Sequence, residues 1–282
     1  MKIAIASGKG GTGKTTISTN LALFLSEGSN KVVYLDCDVE EPNGHLFLNP
    51  VLSKKISSSI PVPVVDESKC DACGECVRFC EYKALVRLGK TVMVFPELCH
   101  GCGGCALVCP SHAIQEQPRE IGSVESGNSG RIGFVHGRLN IGEAMSPPLI
   151  RGVLQQIRSS EVNIIDAPPG TSCPVIASIR DADFVVLVTE PTPFGLNDLG
   201  LALDMVIELR IPHGVVVNRA EDGNRDAESF CEKRKVEIST KIQDDRRIAE
   251  CYSKGEMILK GVPDVKKNFQ ELWEAIRKRV TA

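Results

Sequence analysis

An apolar strand, Ile3–Ser7, runs directly into the loop Gly8-Lys9-Gly10-Gly11-Thr12-Gly13-Lys14-Thr15-Thr16, and a helical stretch over Thr15–Leu25 follows. That order of strand, glycine loop and helix restricts the possible folds more than any other feature of the chain. It fits G-x-x-x-x-G-K-[ST] in the structural context the motif requires. Glycines at Gly8, Gly10, Gly11 and Gly13 let backbone N–H groups turn inward around phosphate oxygens, and the helix N-terminus adds partial positive charge. Lys14 is placed to reach the β- and γ-phosphates, and the Thr15 hydroxyl to hold Mg²⁺. A chance glycine-rich turn would lack this context. Lys9 is the surplus: the motif needs one lysine, and this loop carries a second cation in its middle.

The rest of the chain alternates strands and helices. "KVVYLDCD" is a second buried strand ending in carboxylates. From about Phe134, "LIRGVLQQIRSS", "CPVIASIRDA", "LNDLGLALDMVIEL" and "DAESFCEKRK" read as helices, between the strands "VNIID", "FVVLVTEP" and "HGVVVNRA". Such alternation predicts a mostly parallel sheet wrapped by helices on both faces. Two stretches interrupt it. "SKKISSSIPVPVV" is serine-rich and proline-punctuated, "IGSVESGNSGRIG" is poor in apolar residues, and both carry the composition of junctions. The expected architecture is an α/β P-loop NTPase domain over residues 1–57 and 120–282, interrupted by an inserted module over 58–119.

Asp166 ends an apolar strand and is the expected outer holder of Mg²⁺. Asp38 follows the second strand at the same sheet edge, where ligands gather in open α/β folds, and is assigned the water-positioning role; Asp36 is left structural. With these residues on the page, K-G-G-T-G-K-T-T, D-x-D and D-x-P-P-G resemble the MinD/ParA/nitrogenase-iron-protein class of P-loop ATPases over the whole α/β part. The resemblance implies ATP and Mg²⁺ as ligands and an ATP-dependent homodimer. It implies that Lys9 reaches the partner subunit's phosphates, as an arginine finger would. Asn218 matches the position that reads adenine. "TEPTPFGLNDL" and "DDRRIAECYSKG" also match without an assigned role. "KIQDDRR" departs from the class, which usually has a proline before the acidic pair.

Twelve cysteines occur, and eight lie between Cys70 and Cys109. Cys70, Cys73, Cys76 and Cys80 form C-x₂-C-x₂-C-x₃-C, and Cys99, Cys102, Cys105 and Cys109 repeat it at a constant offset of 29. "CEYKAL" and "CPSHAI" extend the repeat. Two such runs are the pattern of a small α+β bacterial-type ferredoxin domain with two [4Fe–4S] clusters, in which the fourth cysteine of each run serves the other cluster. Cys70, Cys73, Cys76 and Cys109 are therefore grouped on one cluster, and Cys99, Cys102, Cys105 and Cys80 on the second. Zinc modules use separated pairs of ligands and fit this spacing far less well. Glu81 stands where the second run has Pro110, and would lower a cluster potential if it faced inward. The whole chain thus resembles MinD-superfamily ATPases carrying an inserted ferredoxin domain.

Other signals are weaker. Cys173 stands seven residues after Asp166, at the offset of a cluster-binding cysteine in the nitrogenase iron protein; a thiol opening a helix is the plainer reading. Cys37, Cys231 and Cys251 read as packing thiols. The C-terminal C-x-x-C of Mrp-type cluster carriers is missing. Phe269, Leu272, Trp273, Ile276 and Val280 share one face of a terminal helix, expected to dock on the sheet rather than on a membrane, because Glu271 and Glu274 interrupt its basic residues. Five histidines show no ligand spacing. A net charge of −3 gives no basic excess for nucleic acid. With no signal peptide pattern at its start, the chain is expected in the cytoplasm.

Together these features predict an ATP-hydrolysing iron–sulfur protein whose nucleotide-dependent dimerisation is coupled to electron transfer, serving a redox or cofactor-assembly partner. The alternatives are an iron–sulfur cluster carrier, or a MinD-like spatial organiser with a redox-sensing module.

Overall fold

The computed structural model describes residues 1–28, 30–159 and 161–280. Along the chain come β1 (Lys2–Ala6), α1 (Lys14–Glu27), β2 (Val32–Asp36), α2 (Gly44–Leu48), β3 (Val51–Val65), α3 (Glu75–Phe79), β4 (Leu85–Leu88), β5 (Thr91–Val94) and α4 (Gly104–Leu107). Then follow β6 (Ile114–Ser129), β7 (Ile132–Leu139), α5 (Pro147–Leu154), β8 (Val162–Asp166), α6 (Cys173–Ile179), β9 (Phe184–Thr189) and α7 (Pro193–Glu208). The last are β10 (His213–Ala220), α8 (Asp226–Arg234), β11 (Ile238–Gln243), α9 (Arg246–Ser253), α10 (Ile258–Gly261) and α11 (Lys266–Val280). The helix expected over 149–160 ends at Leu154, and Ser160 lies outside the described residues.

The chain divides into two compact units, one of residues 1–55, 124–138 and 150–282, the other of 56–123 and 139–149. The nine-stranded sheet has the order β11-β10-β9-β1-β8-β2-β7-β6-β3; of its last two strands, residues 51–55 of β3 and 124–129 of β6 belong to the first unit and the rest to the second. β1 pairs in parallel with β8 and β9, and β2 with β8 and β7. The central strands are apolar throughout because a parallel sheet is covered on both faces. Ile3, Ile5, Ile164, Val186 and Val216 lie in one core with Ile17 and Leu21 of α1. Phe269, Leu272 and Ile276 of α11 are buried in that same core, with Trp273 packed against it, so the terminal helix docks on its own sheet. No helix among the described residues is long and apolar enough to cross a membrane.

Residues 53–65 and 121–133, which their composition marked as junctions, belong instead to long strands. β3 spans 15 residues and β6 spans 16, side by side in the sheet. Each meets the other's backbone groups, and the start of β3 is solvent-exposed, so neither needs an apolar alternation to form. Pro61 and Pro63 are tolerated because β3 is the outermost strand, where a missing N–H breaks no inner ladder.

The second unit holds an antiparallel hairpin of β4 and β5, in register from Leu85↔Val94 to Leu88↔Thr91, and the short helices α3 and α4. Its core is Cys76, Ala84, Leu85, Val92, Cys105, Cys109, Ala113 and Ile114. Residues 139–149, expected in the α/β domain, fall in this unit. Two contacts hold them: the Asn140 N–H donates to the Ile121 carbonyl at 2.9 Å, and Arg119 pairs with Glu143 through both guanidinium nitrogens. A contact of this kind between separated segments leaves no mark in local composition.

Candidate functional site

Pairing of β1 with β8 and β9 sets the ends of these strands side by side: Ile5 lies opposite Asp166, and Ala6 opposite Leu187. The loop after β1 opens there. Gly11 and Gly13 have φ of 81° and 94°, which favours glycine at both. A Cβ at Gly13 would meet Asn218 Nδ2 at 2.3 Å, and one at Gly8 the Asp198 carbonyl oxygen at 2.1 Å. At Gly10 and Gly11 nothing lies within 4 Å of such a Cβ. The loop is therefore clamped at both ends and open in its middle, where phosphates need room. The buried Thr12 Oγ1 has no hydrogen-bond partner, which suits a loop built around a further acceptor.

Lys14 opens α1 and is buried. Its ammonium donates to Asp166 Oδ1 at 2.9 Å and lies 3.7 Å from Asp38 Oδ2. Asp166 also accepts from the Tyr34 hydroxyl at 2.8 Å. Asp36, opposite Asp166 across β2 and β8, accepts backbone N–H groups from Gly44 at 2.9 Å and Asp38 at 3.2 Å. Burial works against the Lys14 charge, but Asp166 and Asp38 outweigh it, and its pKa is raised. Burial lifts Asp36 to about 8, with Asp166 adding repulsion. Asp38 is lifted by burial to about 6, while Lys14 pulls the other way. Three carboxylates thus share one lysine, a surplus of negative charge that a divalent cation would relieve.

A cavity of about 420 Å³ lies over the loop, lined by Gly10, Gly11, Gly13, Lys14, Thr15, Thr16 and Asp38. Thr15 and Asp38 face it and are the residues that would hold Mg²⁺ and position water. Asp166 does not line it and stands behind Lys14, an outer position. Asn218 lines the cavity and donates to the Thr12 carbonyl at 2.8 Å, joining the end of β10 to the loop. The opposite wall is Gln243, Asp244, Asp245, Ile248, Ala249 and Tyr252. Despite the missing proline, that wall is ordered by Asp245, whose side chain accepts the Arg247 N–H at 2.8 Å and caps α9. Lys9 is outside the cavity lining and pairs with Glu190, which also holds Arg219.

Several of these residues had no assigned role at the level of sequence. Glu190 lies in "TEPTPFGLNDL" and Tyr252 in "DDRRIAECYSKG", segments that match the class without a stated chemistry. For Tyr34 the signal is a hydroxyl inside an otherwise aliphatic buried strand, which must find a partner.

In the second unit the cysteine repeat is also a conformational repeat. Ala72, Gly74 and Lys83 have positive φ, and so do Gly101, Gly103 and His112, each 29 residues on. Cys80 Sγ accepts from the Ala84 N–H and Cys109 Sγ from the Ala113 N–H, both at 3.3 Å; Cys99 Sγ accepts from Gly101 at 3.4 Å. Burial raises the Cys76 thiol, and the neighbouring Cys109, Cys70 and Cys73 raise it further. Burial lifts Cys105 to about 11, with Cys99 and Cys102 adding to it. Cys76 and Cys109, from different runs, share the same small core. Among the described residues no three His, Cys, Asp or Glu side chains converge closely enough to hold a single metal ion. Glu81 is exposed and does not face inward; Cys173 is exposed at the start of α6; Cys37, Cys231 and Cys251 are buried, as packing thiols should be.

Residues 3–258 match the family model of the CobQ/CobB/MinD/ParA nucleotide binding domain. An uncharacterized protein of Methanocaldococcus jannaschii is 33% identical over 92% of both chains. An iron-sulfur cluster carrier protein of Pyrococcus abyssi is 24% identical over 98% of this chain and 85% of its own length. Among solved structures, the septum site-determining protein MinD of Pyrococcus horikoshii, complexed with Mg-ADP, is similar with a TM-score of 0.60 at 20% identity, covering 98% of this chain and 96% of that one.

Proposed function

The chain belongs to the CobQ/CobB/MinD/ParA nucleotide-binding family, and from that footing we propose that it hydrolyses MgATP as a two-subunit assembly and couples this cycle to electron transfer in its cysteine unit. Lys14 and the backbone of Gly10–Thr15 bind the phosphates, and the Thr15 hydroxyl with Asp38 holds the magnesium-side groups. Asp38 orients the attacking water. Asp166 and Tyr34 fix the direction of Lys14. Lys9 supplies positive charge to the partner subunit's phosphates. Asn218 and the wall from Gln243 to Tyr252 form the nucleoside side.

In the cysteine unit, Cys70, Cys73, Cys76 and Cys109 hold one [4Fe–4S] cluster, and Cys99, Cys102, Cys105 and Cys80 the other. When bound, these clusters supply one-electron chemistry. The observation that carries this assignment is the repeat of backbone conformation around both cysteine runs, with N–H···S bonds at matching positions. Two runs of four closely spaced cysteines suit a cluster better than a zinc ion, whose modules use separated pairs of ligands. The electrons would serve a partner in metallocofactor or iron–sulfur assembly, or in activation of a metalloenzyme.

One observation favours a second reading, a carrier that passes iron and sulfur on: the exposed Cys173, taken with the similarity to an iron-sulfur cluster carrier protein. Anaerobic iron analysis and an EPR-monitored redox titration, with and without MgATP, separate the two. About eight irons with potentials that move on MgATP addition are expected for coupled electron transfer. Unmoved potentials with iron lost to an apo-acceptor would favour the carrier, and an iron-free protein that binds zinc would overturn both.

A further inference from the structure

Glu190 leaves the sheet just past β9, next to the phosphate loop because β9 pairs with β1. Its backbone is held in place by its neighbours. The Thr192 N–H donates to its carbonyl at 2.8 Å, and a Cβ on Gly195 would meet that same oxygen at 2.5 Å, so α7 starts tightly against it. The carboxylate is 13% exposed and has two cationic partners. Lys9 Nζ donates to Oε1, and Arg219 Nη1 donates to Oε2 at 3.1 Å. Lys9 is not loose either: its carbonyl accepts the Ser7 hydroxyl at 2.7 Å. Arg219 follows Asn218, which is itself bonded to the loop at Thr12.

The geometry points to Glu190 as a clasp that holds Lys9 within its own subunit and sets how readily MgATP pairs two subunits. This inference rests on the reading of Lys9 as a cation acting in the partner's site. A lysine engaged by Glu190 is not available to a second subunit, so pairing has to break that bridge. Arg219 makes the break inexpensive. If Lys9 departed from a lone half-buried carboxylate, an uncompensated charge would be left behind. Here Arg219 remains on the other oxygen and keeps the carboxylate neutralised. Glu190 is thus a positioning residue, which acts through Lys9 and touches no reacting atom.

The test is Glu190→Gln, read by sedimentation velocity and by turnover as a function of protein concentration at saturating MgATP. The concentration at half-maximal pairing is expected to fall about fivefold, as for loss of one partly exposed ion pair. Lys9→Ala separates the two layers. If Lys9→Ala still pairs and turns over with MgATP, the trans-acting reading fails and the clasp fails with it. If Lys9→Ala abolishes pairing but Glu190→Gln leaves the midpoint unmoved or raises it, the clasp alone is overturned. A second measurement does not depend on turnover: acylation of Lys9 by an amine-reactive ester in nucleotide-free protein, followed by mass spectrometry. Lys9 should label several-fold faster in Glu190→Gln, or in Glu190→Ser if the amide variant misfolds. Equal rates would overturn the clasp.

Discussion

The nucleotide loop and the cysteine unit both depend on backbone in the left-handed region, yet they balance charge in opposite ways. Around the loop the protein supplies its own counter-charges. Lys14 has Asp166 and Asp38, and Lys9 has Glu190. Both lysines there are paired before any ligand arrives, and the charge left over is carboxylate, which suits a cation. In the cysteine unit, three of the eight core residues are cysteines, Cys76, Cys105 and Cys109. Burial raises the Cys76 and Cys105 thiols, so the protein alone favours their neutral forms. Burial works against the Cys109 thiolate too, but hydrogen bonds from Ser111 and from backbone N–H groups outweigh it and lower its pKa, so Cys76 and Cys105 are the thiols whose charge a bound metal would have to take. The first region thus has its lysines paired in advance, and in the second, on the function proposed above, bound clusters would complete the core.

The sharpest way to break this contrast is removal of iron. Chelation under reducing conditions, or Cys76→Ser, should abolish amide-exchange protection over residues 66–113, while β1, β8 and β9 keep theirs. Protection that survives in the cysteine unit would show its small core to be self-sufficient. A smaller effect is expected at the loop. Lys14→Ala should reduce turnover by a factor of about 10²–10³ and weaken nucleotide binding, measured by calorimetry and steady-state kinetics, with the sheet still folded. Smallest is a pH effect on the nucleotide-free protein. Asp36 and Asp38 have pKa values raised to about 8 and about 6, so between pH 4 and pH 8 the native state binds more protons than the unfolded chain. Their contribution to stability falls as pH rises through that window, against a smaller opposite contribution from His45 and His136, whose pKa values are lowered by burial. The melting temperature should drop by several degrees from pH 5 to pH 8, and saturating MgATP should flatten the trend. A melting temperature that climbs with pH would show that the surplus negative charge is relieved without a cation.

The parts of the molecule legible from sequence are those whose chemistry demands fixed residues at fixed spacing. Gly8–Thr16 and the paired cysteine runs are of this kind, and so are the apolar strands that must be covered on both faces. What escaped are relations between distant segments. Lys9 and Glu190 are 181 residues apart, as are Lys2 and Asp183. No local pattern announces either pair. The polar strands β3 and β6 escaped for a related reason: each is stabilised by a neighbour, and a window of a dozen residues cannot contain that neighbour. That residues 139–149 group with the cysteine unit is not legible locally, because Arg119 and Asn140, which tie them to it, look like ordinary surface residues.

The strand order bears on how the molecule is made. β1 is synthesised first, but its two neighbours in the sheet, β8 and β9, come from residues 162–166 and 184–189. On a ribosome the phosphate loop therefore emerges early and stays without the strands that position Asp166 and Glu190. Every residue of the cysteine unit has been made before β8 appears. Domains fold as units while the chain is being synthesised, so the chain of the cysteine unit is complete and free to fold before the nucleotide site exists.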